Sequence, residues 1–347
     1  MRSGHFIESY DKLVNLTDNP VKMAWSWILV LVLALAPLVL DSFWTSICAT
    51  VLITAIGIVG LNLLVGTTGQ ISLGHSGFLA VGAYATAILT MDYQVPGIIA
   101  ILLSGFIAAF FGLIVGIPSL RLKGLYLAIT TMAFAIIINH VILNAEDITR
   151  GSEGFIIDPL QVFGFSFESD ASIYYLSLII LVLTVLGALN LMRSHIGRAW
   201  VGIRDHDIAA KVMGINLTTY KLLAFMVSAF FAGIAGSILA FQLQYINVDN
   251  FSLLLGIEAL SMIIVGGLGS ISGSIVGVIF IIFLNELVRI TTGIFADDGG
   301  TMSLYIHEMK GLLYGVVIVL FLRFEPDGIM GKWRDIKNYW SNWPFHH

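Results

Sequence analysis

Continuous apolar runs of about 20 residues constrain this chain more than any other feature, because that length spans a bilayer core as an α-helix. Phe43–Val65, Gly97–Ile117, Leu125–Leu143 and Ser172–Met192 are clear instances. In lipid each backbone N–H and C=O must be bonded internally, so such runs become helices. The chain is 58% hydrophobic and 11% charged, against about 25% charged in an ordinary soluble domain. A β-barrel would instead alternate in strands of about ten residues. The expected fold is an all-α polytopic membrane protein with Gly-rich broken segments.

Ten segments are expected, at roughly 24–40, 43–65, 78–91, 97–117, 125–143, 172–192, 220–243, 253–268, 274–291 and 309–324. Residues 1–23 read as a cytoplasmic lead-in, 24–324 as the transmembrane domain and 325–347 as a cytoplasmic tail. The charges of the lead-in, among them Glu8, Asp11 and Lys12, exclude a cleavable signal peptide. Ten crossings put both termini on one side. With that side inside, 14 of the 17 Lys and Arg are cytoplasmic, leaving Arg150, Arg289 and Lys310. This is the basic bias of cytoplasmic loops. Loop 144–171 falls outside and is acidic, with Glu146, Asp147, Glu153 and Asp158; Asp297 and Asp298 make a second outer acidic site. Trp25, Trp27, Trp44, Trp333, Trp340 and Trp343 lie near segment ends, where interface aromatics sit. The tail from Gly331 is a candidate interfacial helix, and its His346–His347 pair reads as a tail accident rather than a metal site.

One basic loop interrupts the apolar second half. Met192–Leu222 holds Arg193, Arg198, Arg204, Lys211 and Lys221, five of the 17 basic residues. Within it, Asp205–Met213 reads as one short helix. Asp205 is its N-cap, Asp207 sits in the positive first turn and Gly214 is the stop. Ile208, Ala209, Val212 and Met213 make a small apolar face. Such a helix either docks in a groove on a soluble partner or lies flat on the bilayer.

An internal echo links the two halves. Val65-Gly66-Thr67-Thr68-Gly69-Gln70-Ile71-Ser72 recurs as Val265-Gly266-Gly267-Leu268-Gly269-Ser270-Ile271-Ser272. Paired Gly-rich breaks mark permeation sites in many transporters, although 35 glycines could also produce the match by chance. Polar residues cluster at the first break: Asn62, Gln70, Ser72, His75 and Ser76, with Thr130 and Thr131 in the fifth segment. They either line a polar passage or satisfy broken backbone. Glu258 stands in the middle of the eighth segment, where an acid is costly. It is either a pathway or gating group or one half of a helix–helix hydrogen bond. Glu286 and Arg289 are three apart and should pair.

No enzyme signature is present. There is no G-x-x-x-x-G-K-[ST], His307-Glu308 does not continue as HExxH, and Gly66-x-x-Gly69 lacks a βαβ context. Cys48 is the only cysteine, which removes intramolecular disulfides and Cys-based metal sites.

Gly60–Tyr84 (GLNLLVGTTGQISLGHSGFLAVGAY), Arg193–Ala240, Ile257–Gly273 and Leu312–Gly331 together resemble permeases of branched-chain amino-acid ABC importers. Their order and spacing resemble the LivM-like subunit more than its LivH-like partner, from about residue 43 to 331. His206 stands where the family often has an acid, and loop 144–171 and both termini match less well. The resemblance implies a subunit without catalytic residues or cofactors of its own, multi-pass in the plasma membrane of a bacterium, its inner membrane. Its implied partners are a second, LivH-like permease, two cytoplasmic ATPases that bind ATP and Mg, an external solute-binding protein and membrane lipid, with no nucleic acid. Residues 193–219 become the docking loop. Relatives that carry urea or short amides are an alternative, and a stand-alone ion-coupled carrier or channel is the alternative from another class.

Overall fold

The computed structural model describes residues 20–162, 165–295, 306–325 and 327–342. The lead-in up to residue 19, Asp297, Asp298, Trp343 and the terminal histidine pair lie outside them.

The apolar runs fold as helices: α1 Pro20–Val39, α2 Ser42–Thr68, α3 His75–Met91, α4 Gly97–Ser119 and α5 Leu125–Asn144. After a single turn, α6 Glu146–Thr149, come α7 Asp170–Arg193, α8 His195–Asp205, α9 Asp207–Val212 and α10 Leu217–Leu243. The chain continues with α11 Leu253–Gly266, α12 Ile271–Phe295, α13 Ile306–Phe324 and α14 Gly328–Asn342. Among the described residues, seven helical stretches are long and apolar enough to cross a membrane. They correspond to the second, fourth, fifth, sixth, seventh, eighth and ninth expected segments. The first and third are shorter apolar helices, Trp27–Val39 and His75–Met91, and the tenth expected segment falls on α13.

Helix α10 is the central post, packed against α2, α3 and α4. Small residues allow this. A Cβ on Gly82 of α3 would lie 2.2 Å from the Gly233 carbonyl oxygen on α10, and one on Gly236 would lie 2.1 Å from that of Leu79. Close backbone approach of this kind substitutes for the hydrophobic drive that lipid removes.

The connections sort to two ends. Turn 119–124 meets loop 194–216 through an ion pair between Lys123 and Asp207. Segment 267–270 packs on the start of α14, with Gly267 against Asp327. At the other end Arg150 meets Asp92 at 3.5 Å, and Ser42 bonds Asp170. Here a two-residue strand Phe155–Ile156 (β1) pairs antiparallel with Tyr245–Ile246 (β4). Leu160–Val162 (β2) and Phe165–Phe167 (β3) form a hairpin. The Tyr84 ring stands edge-on to Phe155 and Phe251, closing the core beneath these strands.

Candidate functional site

The first Gly-rich break packs into the helix bundle at Gln70, Ser72 and Gly74, while Gly69 and Ile71 are exposed. Helix α2 ends at Gly69, whose φ of +70° suits glycine. Residues 70–74 then run non-helically to α3. Backbone at this depth needs partners within the protein. Leu73 N–H donates to Thr131 Oγ1 at 3.0 Å, Gly74 N–H to Ser72 Oγ at 3.3 Å, and Gln70 N–H to the Leu64 carbonyl at 3.4 Å. Gln70 Nε2 donates to Thr68 Oγ1 at 2.8 Å. Thr131 and Thr130 bond back to the carbonyls of Ala128 and Tyr126. Ser76 is fully buried, and its Oγ has no partner among the described residues.

The two echoed segments pack on each other. Asn62, buried on α2, holds them together. Its Nδ2 donates to the Ser270 carbonyl at 2.8 Å and to Ser274 Oγ at 2.6 Å, and its Oδ1 accepts from Gly269 N–H at 2.8 Å. A Cβ on Gly66 would fall 2.0 Å from Asn62 Oδ1 and 2.2 Å from Gly269 N, so only glycine permits this approach. Arg204 reaches in from the basic loop and donates from Nη1 to the Gly66 carbonyl at 2.6 Å.

Above this junction, α2, α3, α10, α11 and α12 enclose a cavity of about 230 Å³. Its polar groups are Thr50, Thr54, His75, Glu258 and Asn285. The rest of the wall is largely aliphatic. Of the residues singled out around the breaks, His75 and Glu258 are the two that line it. Glu258 Oε1 accepts from Asn285 Nδ2 at 2.6 Å, and Tyr314 Oη donates to Asn285 Oδ1 at 2.6 Å. The chain Tyr314–Asn285–Glu258 thus joins α13, α12 and α11. Asn285 and Tyr314 were missed from sequence, although Asn285 gives the same signal as Glu258, a polar residue inside an apolar run. His75 opens α3 and is 2% exposed. Its ring lies against Gly57, where an added Cβ would sit 3.0 Å from Nε2, and its Nδ1 has no partner among the described residues.

The basic loop departs from the expected single helix. Asp205 does not cap a helix but ends α8, which is itself capped by Ser194, whose Oγ accepts from Ile196 N–H at 3.1 Å. His206 is extended at φ −153°, and α9 begins after it at Asp207. The reason lies upstream. Ile196, Ala199, Trp200 and Ile203 recur at i, i+3, i+4 and i+7, the stripe of an amphipathic helix. That stripe docks α8 on the bundle, where Trp200 is wholly buried and donates Nε1–H to the Tyr220 carbonyl at 2.9 Å. After the extended His206, Asp207 meets Lys123 of turn 119–124. Gly214, at φ +88°, ends the second helix as expected, and Ile215 N–H returns to the Ala210 carbonyl at 3.0 Å.

Among the described residues, nothing covers the apolar face of α9. Ile208 is 76% exposed, Val212 84% and Met213 83%; Ala209 beside them is also exposed, while Ala210 points inward. Arg198 caps the end of α7, donating to the Arg193 carbonyl at 2.9 Å, and Lys211 is exposed. The Lys123 hydrogen bond, foremost, holds the Asp207 carboxyl below its ordinary range.

Comparison with known proteins gives a consistent picture. The sequence pattern of a family described as branched-chain amino acid transport system / permease component matches residues 43–322. The chain is similar to the high-affinity branched-chain amino acid transport system permease protein LivM of Escherichia coli K12, at 30% identity over 337 residues, covering 90% of this chain and 76% of that protein. It is 25% identical to the permease protein BraD of Pseudomonas aeruginosa over 290 residues, covering 79% of this chain and 90% of that one. It is 24% identical to the permease protein LivH of Escherichia coli K12 over 293 residues, covering 79% and 90%. No solved structure matches.

Proposed function

Because the chain belongs to the branched-chain amino acid transport permease family, we propose that it is the LivM-like half of a permease pair that imports branched-chain or other apolar amino acids. In this reading the chain crosses the inner membrane ten times with both termini in the cytoplasm. Two ATPase subunits dock beneath the pair and an external binding protein delivers the solute. ATP and Mg belong to the ATPases.

The observation that carries the reading is the bare apolar face of α9. Three large apolar side chains more than three-quarters exposed, on a loop rich in Arg and Lys, suit a groove on a soluble partner with an acidic rim. The charges orient the encounter more than they tighten it. Arg204 extends the path inward. Its bond to the Gly66 carbonyl ties the loop to the junction of the two broken segments, so movement of the loop bears on backbone that faces the bundle interior. Nucleotide binding closes the ATPases, pulls on α9 and switches the pathway between outward- and inward-facing states.

Ala209→Arg tests this. The side chain is exposed and outside the bilayer, so the permease should reach the membrane in normal amounts. Docking should fail, because a charge is forced into an apolar groove. Copurification of the ATPases should weaken, and ATP hydrolysis should lose its response to loaded binding protein. If both are unchanged, α9 is a membrane-surface helix and the docking site lies elsewhere, first at Arg121–Gly124.

A further inference from the structure

The cavity between α2, α3, α10, α11 and α12 has complementary polar groups in an apolar setting. Glu258 offers a carboxylate, an acceptor when ionised, oriented by the hydrogen-bond chain from Tyr314 through Asn285. At the other polar point stands the start of α3. That helix begins at a buried residue after the break, so the positive end of its dipole lies in protein rather than water. Half-helix N-termini of this kind hold the carboxylate of a zwitterion in other carriers. His75, the first residue of α3, lines the cavity with an Nδ1 that is buried and has no partner among the described residues. A buried polar atom without a partner costs free energy unless something occupies the space beside it. Apart from the threonines Thr50 and Thr54, the remaining wall is apolar, with Ile53, Ile58, Leu79, Leu255, Met262 and Ile282. The volume, about 230 Å³, suits one small solute.

The geometry points to this cavity as an intramembrane binding site for a zwitterionic amino acid with an apolar side chain: ammonium toward Glu258, carboxylate toward His75 and the α3 N-terminus, side chain on the aliphatic wall. An acidic amino acid would set a second carboxylate in the same apolar space without a partner. Urea and short amides would satisfy the polar points and leave the aliphatic wall without a ligand. The inference rests on the importer reading and narrows its substrate class.

The test uses cells carrying the whole importer and measures uptake of radiolabelled leucine and urea, with membrane abundance of the chain followed by immunoblot. Wild type should take up leucine. Glu258→Gln removes the charge with little change of shape, and should lower the maximal leucine uptake about ten- to a hundredfold, the equivalent of one hydrogen bond to a charged group. Abundance should be unchanged. A second arm needs no transport. In a Cys48→Ala background, Leu239→Cys places a thiol in the cavity wall, and leucine should slow its modification by a membrane-permeant thiol reagent. If wild type takes up leucine but Glu258→Gln does so at the same rate, or leucine gives Cys at 239 no protection, the cavity is not a binding site and the importer reading survives. If wild type takes up urea and no apolar amino acid, the substrate reading itself fails.

Discussion

Asn62→Ala perturbs the place where the two broken segments meet, and the structure sets the magnitude. The substitution removes the acceptor of Gly269 N–H (2.8 Å) and the two Nδ2 donor bonds to Ser270 and Ser274. Ser270 loses little, since its carbonyl still accepts from Ser274 N–H at 3.0 Å. Gly269 N–H is pressed against Gly66 in a part-buried position. An orphaned buried donor costs about 1–3 kcal/mol, and polar contacts between membrane helices average about 0.6 kcal/mol each. The expected loss is therefore about 2–4 kcal/mol. Thermal unfolding of the detergent-solubilised chain, followed by fluorescence-detected size exclusion, should show a midpoint several degrees lower. Asn62→Asp should be at least as harmful: it keeps the acceptor but loses both donors and buries a charge. Asn62→Ala and Ser274→Ala should be less than additive because they share a bond. An Asn62→Ala protein that melts at the wild-type temperature would refute the clamp, and with it the idea that the junction is tightly held.

Other regions give sharper or deliberately small effects. Gly236→Leu should prevent accumulation of folded chain, since even a Cβ would lie 2.1 Å from the Leu79 carbonyl oxygen; normal expression and melting would show that α3 and α10 separate freely. The Asp207 carboxyl, held low by Lys123, contributes above its unfolded pKa of about 3.9 and loses that contribution as pH falls through the lower folded value. Melting should thus not depend on this pair between pH 6 and 8, and Asp207→Asn should cost no more than about 1 kcal/mol, as for an exposed ion pair. Arg289 chelates Glu286 from Nε at 3.0 Å to both oxygens at an exposed site, so Arg289→Ala should leave the melting temperature nearly unchanged. In a Cys48→Ala background, His206→Cys should react with an impermeant thiol reagent in inside-out vesicles and not in sealed cells. Labelling in sealed cells would overturn the proposed sidedness.

Much of this was legible in the chain itself. Long apolar runs placed the helices because length and hydropathy are local properties. Repeated Gly motifs flagged both breaks. Sequence could not say that Asn62 and Gly269 touch, since the contact spans more than 200 residues and depends on how helices pack. Asp205 misled for a local reason. An Asp before an apolar pair looks like a cap, but Ser194 starts an earlier and longer stripe that wins through the burial of Trp200. The expected start of α3 at Phe78 fell three residues late because His75 and Ser76 are polar, and only tertiary packing makes them helical and buried. Strands β1 and β4 are two residues each, too short for any alternation to show. Glu258 joins two helices through Asn285, as its helix–helix reading had it, and it also lines the cavity.

The central claim is that this chain is the permease half of an ATP-driven amino-acid importer rather than a carrier working alone. Reconstitution measures it directly: the chain, its partner permease and the two ATPases in proteoliposomes, with ATP sealed inside and binding protein loaded with radiolabelled leucine outside. Leucine accumulation should require both ATP and binding protein and be indifferent to ion gradients. Accumulation driven by a proton or sodium gradient in the absence of ATP would contradict it.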